Sequence, residues 1–207
     1  MPRKVRTRPR AGTVGERHMQ RHARTRAQAR AFYSGQMRDR LYPAMRKFLA
    51  RMELMFIATA DASGECDSSV RAGPPGFVRV LDERTVAYPE YRGNGVMASL
   101  GNIIENGHVG LLLVDFMRSS VGLHLNGPAR VVENRDMLAR SGLPETIRAD
   151  CLKARPRVER WVVVEIREAY IHCAKHLPRF KKLPKPIHWG TDSARHKGGD
   201  FFQVRPA

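Results

Sequence analysis

The apolar positions change period along the chain, and each change marks a different kind of element. Between Glu16 and Met52, the residues Phe32, Met37, Leu41, Met45, Phe48 and Met52 recur mostly at intervals of three or four, the spacing of one helix face. Pro43 suits a first helical turn, so two helices meeting near Tyr42-Pro43 are expected. The run Leu54–Ala60 is apolar and partly β-branched, and the turn sequence Asp61-Ala62-Ser63-Gly64 follows it, which predicts a strand ending in a hairpin-like reversal. Further strands are predicted at Asp67–Arg71, Phe77–Val80 and Thr85–Tyr88, divided by Gly73-Pro74-Pro75-Gly76 and Asp82-Glu83. Helical spacing returns at Val96, Met97, Leu100, Ile103 and Ile104, and Asn106-Gly107 stops that helix. Val109–Asp115 and Val121–Glu133 read as strands and Asn134–Arg155 as a polar helical segment. Trp161–Cys173 reads as one long strand with Val162, Val164 and Ile166 on one face.

Six or seven strands with one short internal helix predict a mainly β (α+β) chain, closed or partly closed as an antiparallel barrel with helices outside. Parallel winding is disfavoured, because strands and helices do not alternate. A length of 207 residues suits one domain with its own core.

Charge changes this picture only at the ends. The chain carries a net +17, but residues 1–30 hold ten Lys and Arg against the single acid Glu16, and residues 178–207 hold seven against Asp192 and Asp200. We therefore expect a basic flexible arm at 1–15, one domain at 16–177 whose residues 31–177 are near neutral, and a basic tail at 178–207. A protein reading nucleic acid through its folded surface would keep its positive charge there. Arg17, Arg21, Arg24 and Arg30 fall on a cationic helix face that nucleic acid or another acidic partner would meet; a solvated face is the simpler reading, and few aromatics interleave for base stacking. Cys66, Cys151 and Cys173 are odd in number and far apart, so neither a disulfide framework nor a cysteine zinc site is indicated and a reducing cytoplasm is expected. No apolar run reaches the ~20 residues of a membrane span.

Chemistry concentrates in two stretches. In Tyr88–Asn106, a loop with Arg92, Asn94 and Gly95 enters a helix bearing Ser99 in its first turns, where free N–H groups and the helix dipole favour a phosphate. A glycine turn with Asn94 as N-cap explains the same residues without a ligand. In Ser68–Val80, Arg71 stands beside a turn of two prolines and two glycines, which either lets backbone approach a flat ligand or bends a hairpin. His18/His22 and His172/His176 are spaced four apart, without a third evident metal ligand, and His124 lies within a strand. No nucleophilic triad is legible.

The run FIATADASGECDSSVRAGPPGFVRVLDERTVAYPEYRGNGVMASLGNIIENGHVGLLLVDF, followed by GLHLNGPARVV and AYIHCAKHLPR, resembles the pyridoxamine 5′-phosphate oxidase-like family of FMN-binding split β-barrel proteins over roughly residues 30–180. The resemblance implies a homodimer of split barrels with FMN in a groove at the interface. It implies Ser69, Arg71, Arg92, Asn94 and Ser99 on the phosphate side, and Pro75, Gly76 and Phe77 bordering the isoalloxazine ring. Lys175 and Arg179, in and after the HCxK element, become ligands of the cofactor or of an anionic substrate; a solvated cation at a strand end is the plainer reading of Lys175. Guanidinium groups bind phosphate oxygens in bidentate fashion, which suits Arg71 and Arg92. The chain departs from the oxidases proper in two places. Gly93-Asn94-Gly95 stands where they have Arg-Lys, and the tail HLPRFKKLPKPIHWG lacks their substrate-binding Arg and His pattern, which points away from vitamin B6 oxidation. The expectation is an FMN-dependent oxidoreductase acting on a small molecule. The alternatives are a deazaflavin-dependent reductase, or a non-catalytic flavin- or haem-binding protein with basic arms for an acidic partner.

Overall fold

A computed structural model describes residues 12–153, 158–188, 190–191, 193–199 and 201–204. Three helices, α1 (Val14–His22), α2 (Arg26–Gly35) and α3 (Pro43–Leu49), precede the sheet, where two were expected. The extra break falls at Ala23-Arg24-Thr25, where Arg24 takes a left-handed conformation (φ 59°) that a continuous helix does not allow. The capping box of Thr13 and Glu16 starts α1 inside the segment expected to be a flexible arm; the remainder of that arm, residues 1–11, lies outside the described residues. Helices α1 and α2 bury no residue and lean on the barrel through Phe32, whose ring meets Tyr170 edge-on at 5.7 Å.

Eight strands follow, one or two more than expected: β1 (Leu54–Ala60), β2 (Cys66–Ala72), β3 (Arg79–Asp82), β4 (Thr85–Tyr91), β5 (His108–Val114), β6 (Gly122–Glu133), β7 (Val158–Glu165) and β8 (Glu168–His172). The long strand expected at 161–173 is two strands. Its chain turns at Ile166 and Arg167, whose N–H groups leave the ladder for Arg84 O (2.7 Å) and Asn126 O (2.9 Å). Val162, Val164 and Ile166 nonetheless share the core-facing side. The strand expected at Phe77–Val80 begins at Arg79, because Phe77 still belongs to the proline turn. Helix α4 (Ala98–Asn106) lies between β4 and β5, and the expected polar helical segment is two short helices, α5 (Asn134–Leu138) and α6 (Glu145–Leu152); its last residues lie outside the described ones.

All pairings are antiparallel, in the order β2-β1-β5-β6-β7-β4-β3, with β8 also on β6. Strand β6 binds the sheet together. Gly122–Pro128 pairs with β5 and Ala129–Glu133 with β7, so the strand passes from one half of the split barrel to the other. Gly127 sits at the passage, where a Cβ would lie 1.9 Å from Glu165 O; only glycine admits that approach. The barrel core gathers Met55, Ile57, Phe77, Tyr88, Leu111, Leu125, Val162 and Val164, and a second cluster around Trp161 and Met137 lies beneath α5 and α6. Among the described residues no helix is long and apolar enough to cross a membrane.

Candidate functional site

Strand β2 presents Asp67, Ser69 and Arg71 on one face, because side chains two apart in a strand point the same way. In register across from them on β1 stand Thr59, Ile57 and Met55, all buried, so this face looks into the barrel rather than out of it. Arg71 is held on two sides: Nη1 donates to Ser69 Oγ (2.8 Å) and to Val70 O (3.2 Å), and Nε donates to Glu90 Oε1 (2.7 Å). Among the described residues Nη2 makes no hydrogen bond, which leaves one corner of a fixed guanidinium for a ligand.

Glu90 comes from β4, where the alternation Val86, Tyr88, Glu90 continues the core-facing side to the strand's end. Its carboxyl is 8 % exposed, and burial pushes its pKa up against the opposing pull of Arg71. Tyr88 is fully buried two residues away. Among the described residues its hydroxyl has no hydrogen-bond partner, and burial followed by the neighbouring Glu90 raises its pKa. Glu90, Tyr88 and Asp67 were missed by the sequence reading. The period-two pattern of Thr85–Tyr91 carried the signal for Glu90, but ending the strand at Tyr88 hid it.

Helix α4 closes the other end of this face. Ser99 is buried and its hydroxyl donates to Asp67 Oδ2 (2.9 Å), while Asn102 Nδ2 donates to buried Thr59 Oγ1 (3.0 Å). The first-turn N–H groups of Ala98, Ser99 and Leu100 have no backbone partner among the described residues, as expected at a helix start. Asn94 does not cap this helix. Its Oδ1 accepts from Val96 N (3.0 Å) within the loop, and the N-cap position is Met97 in a left-handed conformation (φ 58°). Arg92 and Asn94 are exposed on that loop, and the C-terminal tail passes beside it: a Cβ on Gly190 would lie 3.7 Å from Arg92 Cβ.

The proline turn uses its glycines to pack against the chain. Phe77 N donates to Pro74 O (2.9 Å), Gly76 takes φ +75° with its N–H on Met52 O (3.0 Å), and a Cβ there would lie 2.9 Å from Ala50 O at the end of α3. Pro75 is exposed. Phe77, expected to border a cofactor ring, is instead 1 % exposed within the barrel core, backbone included, and Gly76 is buried beside it, so Pro75 alone of the three is at the surface.

Lys175 and Arg179 are not brought to Arg71. Lys175 is exposed in a short 3-10 turn, Ala174–His176, just after β8, and Arg179 Nη2 donates to Arg118 O (2.9 Å) in the β5–β6 turn. In the order β2-β1-β5-β6-β8, β8 is four strands from β2, about 19 Å at ~4.8 Å per strand. The structure thus sets Ser69 and Arg71 on one face of β2, ties Ser99 to the same face through Asp67, places Arg92 and Asn94 on the loop entering α4, and leaves Lys175 just beyond β8 and Arg179 against the β5–β6 turn.

The pyridoxamine 5′-phosphate oxidase family model matches residues 41–173, well over half the chain. The chain belongs to this family. No curated protein matches the sequence. Among solved structures, HupZ of Group A Streptococcus is 20 % identical and covers 61 % of this chain and 90 % of its own, with a TM-score of 0.45. A putative pyridoxamine 5′-phosphate oxidase from Lactobacillus delbrueckii is 23 % identical over 64 % of this chain and 94 % of its own, TM-score 0.42. HutZ, the heme storage protein of Vibrio cholerae, is 19 % identical over 64 % and 93 %, TM-score 0.38. These are likenesses of fold.

Family membership implies a flavin, and the residues present can be tested against its phosphate. The open corner of Arg71, the hydroxyl of Ser69 and the first-turn amides of α4 are donors of the kind a phosphate monoester requires, whereas the Ser99 hydroxyl gives its proton to Asp67. Glu90 and Asp67 oppose it with carboxylates, so the cradle fits an anion whose charge is met by more than one cation.

Proposed function

We propose that this member of the pyridoxamine 5′-phosphate oxidase family is an FMN-dependent oxidoreductase that acts on a small molecule as a homodimer. The observation that carries this reading is the Arg71 guanidinium, fixed by Ser69 and Glu90 with Nη2 open, in a chain that matches the family over residues 41–173. Arg71, Ser69 and the first-turn amides of α4, that of Ser99 among them, would hold the phosphate; Arg92 and Asn94 would rim it, and Pro75 would border the ring. FMN, when bound, supplies hydride or electron transfer. The chain's part is to fix the phosphate, exclude water along the barrel wall and leave a substrate its place.

The homodimer is part of this proposal. Lys175, just after β8, stands four strands from β2 along the sheet, and a second copy would bring such a residue to the ligand. The outward face of β1 and β2 carries Leu54, Phe56 and half-exposed Val70, an apolar surface suited to that copy.

Two titrations test this. Protein mixed with excess FMN and freed of unbound ligand is expected to keep flavin bands near ~375 and ~450 nm. FMN is expected to bind ~10- to 100-fold tighter than riboflavin, the worth of a charge-assisted phosphate contact. Equal affinity for the two would remove the phosphate assignment, and a strong Soret band on the purified protein would put haem in place of flavin.

A further inference from the structure

Three features stand apart from the phosphate donors just described: the basic hairpin of α1 and α2, the His124–His172 contact on the outer sheet face, and the buried group formed by Tyr88, Glu90 and Arg71. The hairpin offers charge without a shaped recess, and the histidine pair lacks a third ligand. The buried group carries an argument further.

Glu90 sits where a cation for phosphate is needed and cancels it. Its Oε1 is 2.7 Å from Arg71 Nε, and at 8 % exposure that carboxylate is screened by little water. Asp67 adds a second carboxylate on the same β2 face, hydrogen-bonded by Ser99. Arg160, in register with Glu90 on β7, is engaged by Glu133 (2.8 Å) and Glu159 (3.8 Å). A phosphate dianion at Arg71 therefore meets a guanidinium already neutralised. Tyr88 neighbours this group. It lies two residues from Glu90 on the same strand face, is fully buried, and its hydroxyl is the one buried side-chain polar atom without a partner among the described residues. A buried hydroxyl left without a partner is costly, so it favours any state that gives it one.

We propose that Glu90 is a proton-linked counter-ion of the phosphate site: it neutralises Arg71 while the site is free, and when a phosphate monoester binds at Arg71 it takes one proton from solvent and hydrogen-bonds with Tyr88. The proton forms the carboxyl O–H, no electrons move, and the guanidinium charge passes from Glu90 to the phosphate. Burial pushes the Glu90 pKa up and Arg71 pulls it down, so losing Arg71 to the phosphate moves it further up. Binding then weakens as pH rises, by tenfold per pH unit between the free-state and bound-state pKa of Glu90. This inference rests on the FMN reading and assigns Glu90 and Tyr88 as the residues that set the pH at which the site loads.

The test is calorimetric titration with FMN at pH 8, where a phosphate monoester with second pKa of ~6 is already a dianion, in two buffers of different ionisation enthalpy. The natural protein is expected to take up about one proton per FMN, and Glu90→Gln to take up none and bind about tenfold tighter or more at this pH. Tyr88→Phe is expected to melt at a higher temperature without ligand, having lost an unpartnered hydroxyl, and yet to bind FMN more weakly with smaller proton uptake. FMN binding without proton uptake by the natural protein overturns the role of Glu90 and leaves the FMN reading standing. Absence of FMN binding in both the natural protein and Glu90→Gln removes both. If Glu90→Gln does not fold, Tyr88→Phe decides, and unchanged uptake and affinity in that variant overturn the proposal.

Discussion

Replacing Arg71 by alanine takes away the partner of a buried carboxylate, and its cost depends on pH in a way the structure fixes. Breaking a buried pair from one side costs ~3–5 kcal/mol; Arg71 keeps 22 % of its side chain in solvent, so we expect about 3 kcal/mol at pH 7.5. The stranded Glu90 escapes by binding a proton. Its pKa in the folded protein is already above the ordinary value because of burial, and losing Arg71 raises it further. For an acid raised on folding, the penalty is absent at low pH and grows as pH rises through the window between unfolded and folded pKa, by up to ~1.4 kcal/mol per unit. The loss in Arg71→Ala should therefore shrink to about 1 kcal/mol at pH 5. Urea unfolding followed by tryptophan fluorescence at both pH values, at one protein concentration, measures it. Adding Glu90→Gln to Arg71→Ala should return about 2 kcal/mol at pH 7.5, because no charge is then stranded. A loss that is the same at both pH values, together with a double variant no more stable than Arg71→Ala, would refute the pairing as described.

Other expectations are independent of the site. Gly127→Ala should cost about 3 kcal/mol or more in unfolding experiments, since its Cβ would sit 1.9 Å from Glu165 O at the passage of β6. Asp115 is buried and accepts from Arg118 N (3.0 Å), Ser119 Oγ (2.9 Å) and Arg51 Nη2 (3.2 Å). Burial alone would raise its pKa, but these donors outweigh it and hold it low, so Asp115→Ala should cost ~2–4 kcal/mol at neutral pH. The depressed value places that stability above the ordinary carboxylate range, and the difference from the natural protein should close as pH falls below about 4.

Much of this fold was legible because its strands obey their period. Leu54–Ala60 alternates cleanly, and the Asp61 turn behind it is made as its composition implies, with Asp61 Oδ1 accepting from Ser63 N (2.8 Å) and Glu65 N (3.0 Å). The break at Ile166-Arg167 was invisible, because it is made by backbone bonds to Arg84 and Asn126, residues distant in sequence. Phe77 shows the same limit: a Pro-Gly turn beside an aromatic reads as ligand-facing, and only the packing of Gly76 on Ala50 reveals that the ring turns inward. In the site, the family resemblance pointed to Arg71, Ser69 and Ser99, whose grouping follows from β2 alternation and the start of α4. Glu90 stayed hidden for want of three residues of strand, the unpartnered hydroxyl of Tyr88 shows only in the packed barrel, and the separation of Lys175 from Arg71 is a matter of strand order, which local pattern does not encode.

The dual membership of β6 also sets a timetable for synthesis. The hairpin of β1 and β2 closes within a short stretch of chain, and β5 meets the first half of β6 soon afterwards. The other half of the barrel waits, because β4 lies between β3 and β7, and β7 emerges only after α4, β5, β6, α5 and α6. Until Val158–Glu165 emerges, the second half of β6 and the β7-facing edge of β4 have no ladder to close them. A nascent chain halted before residue 158 emerges thus carries the ladder β2-β1-β5-β6, still without β8, and an open seam, and holding that seam apart from its neighbours is the task such a chain sets for a chaperone.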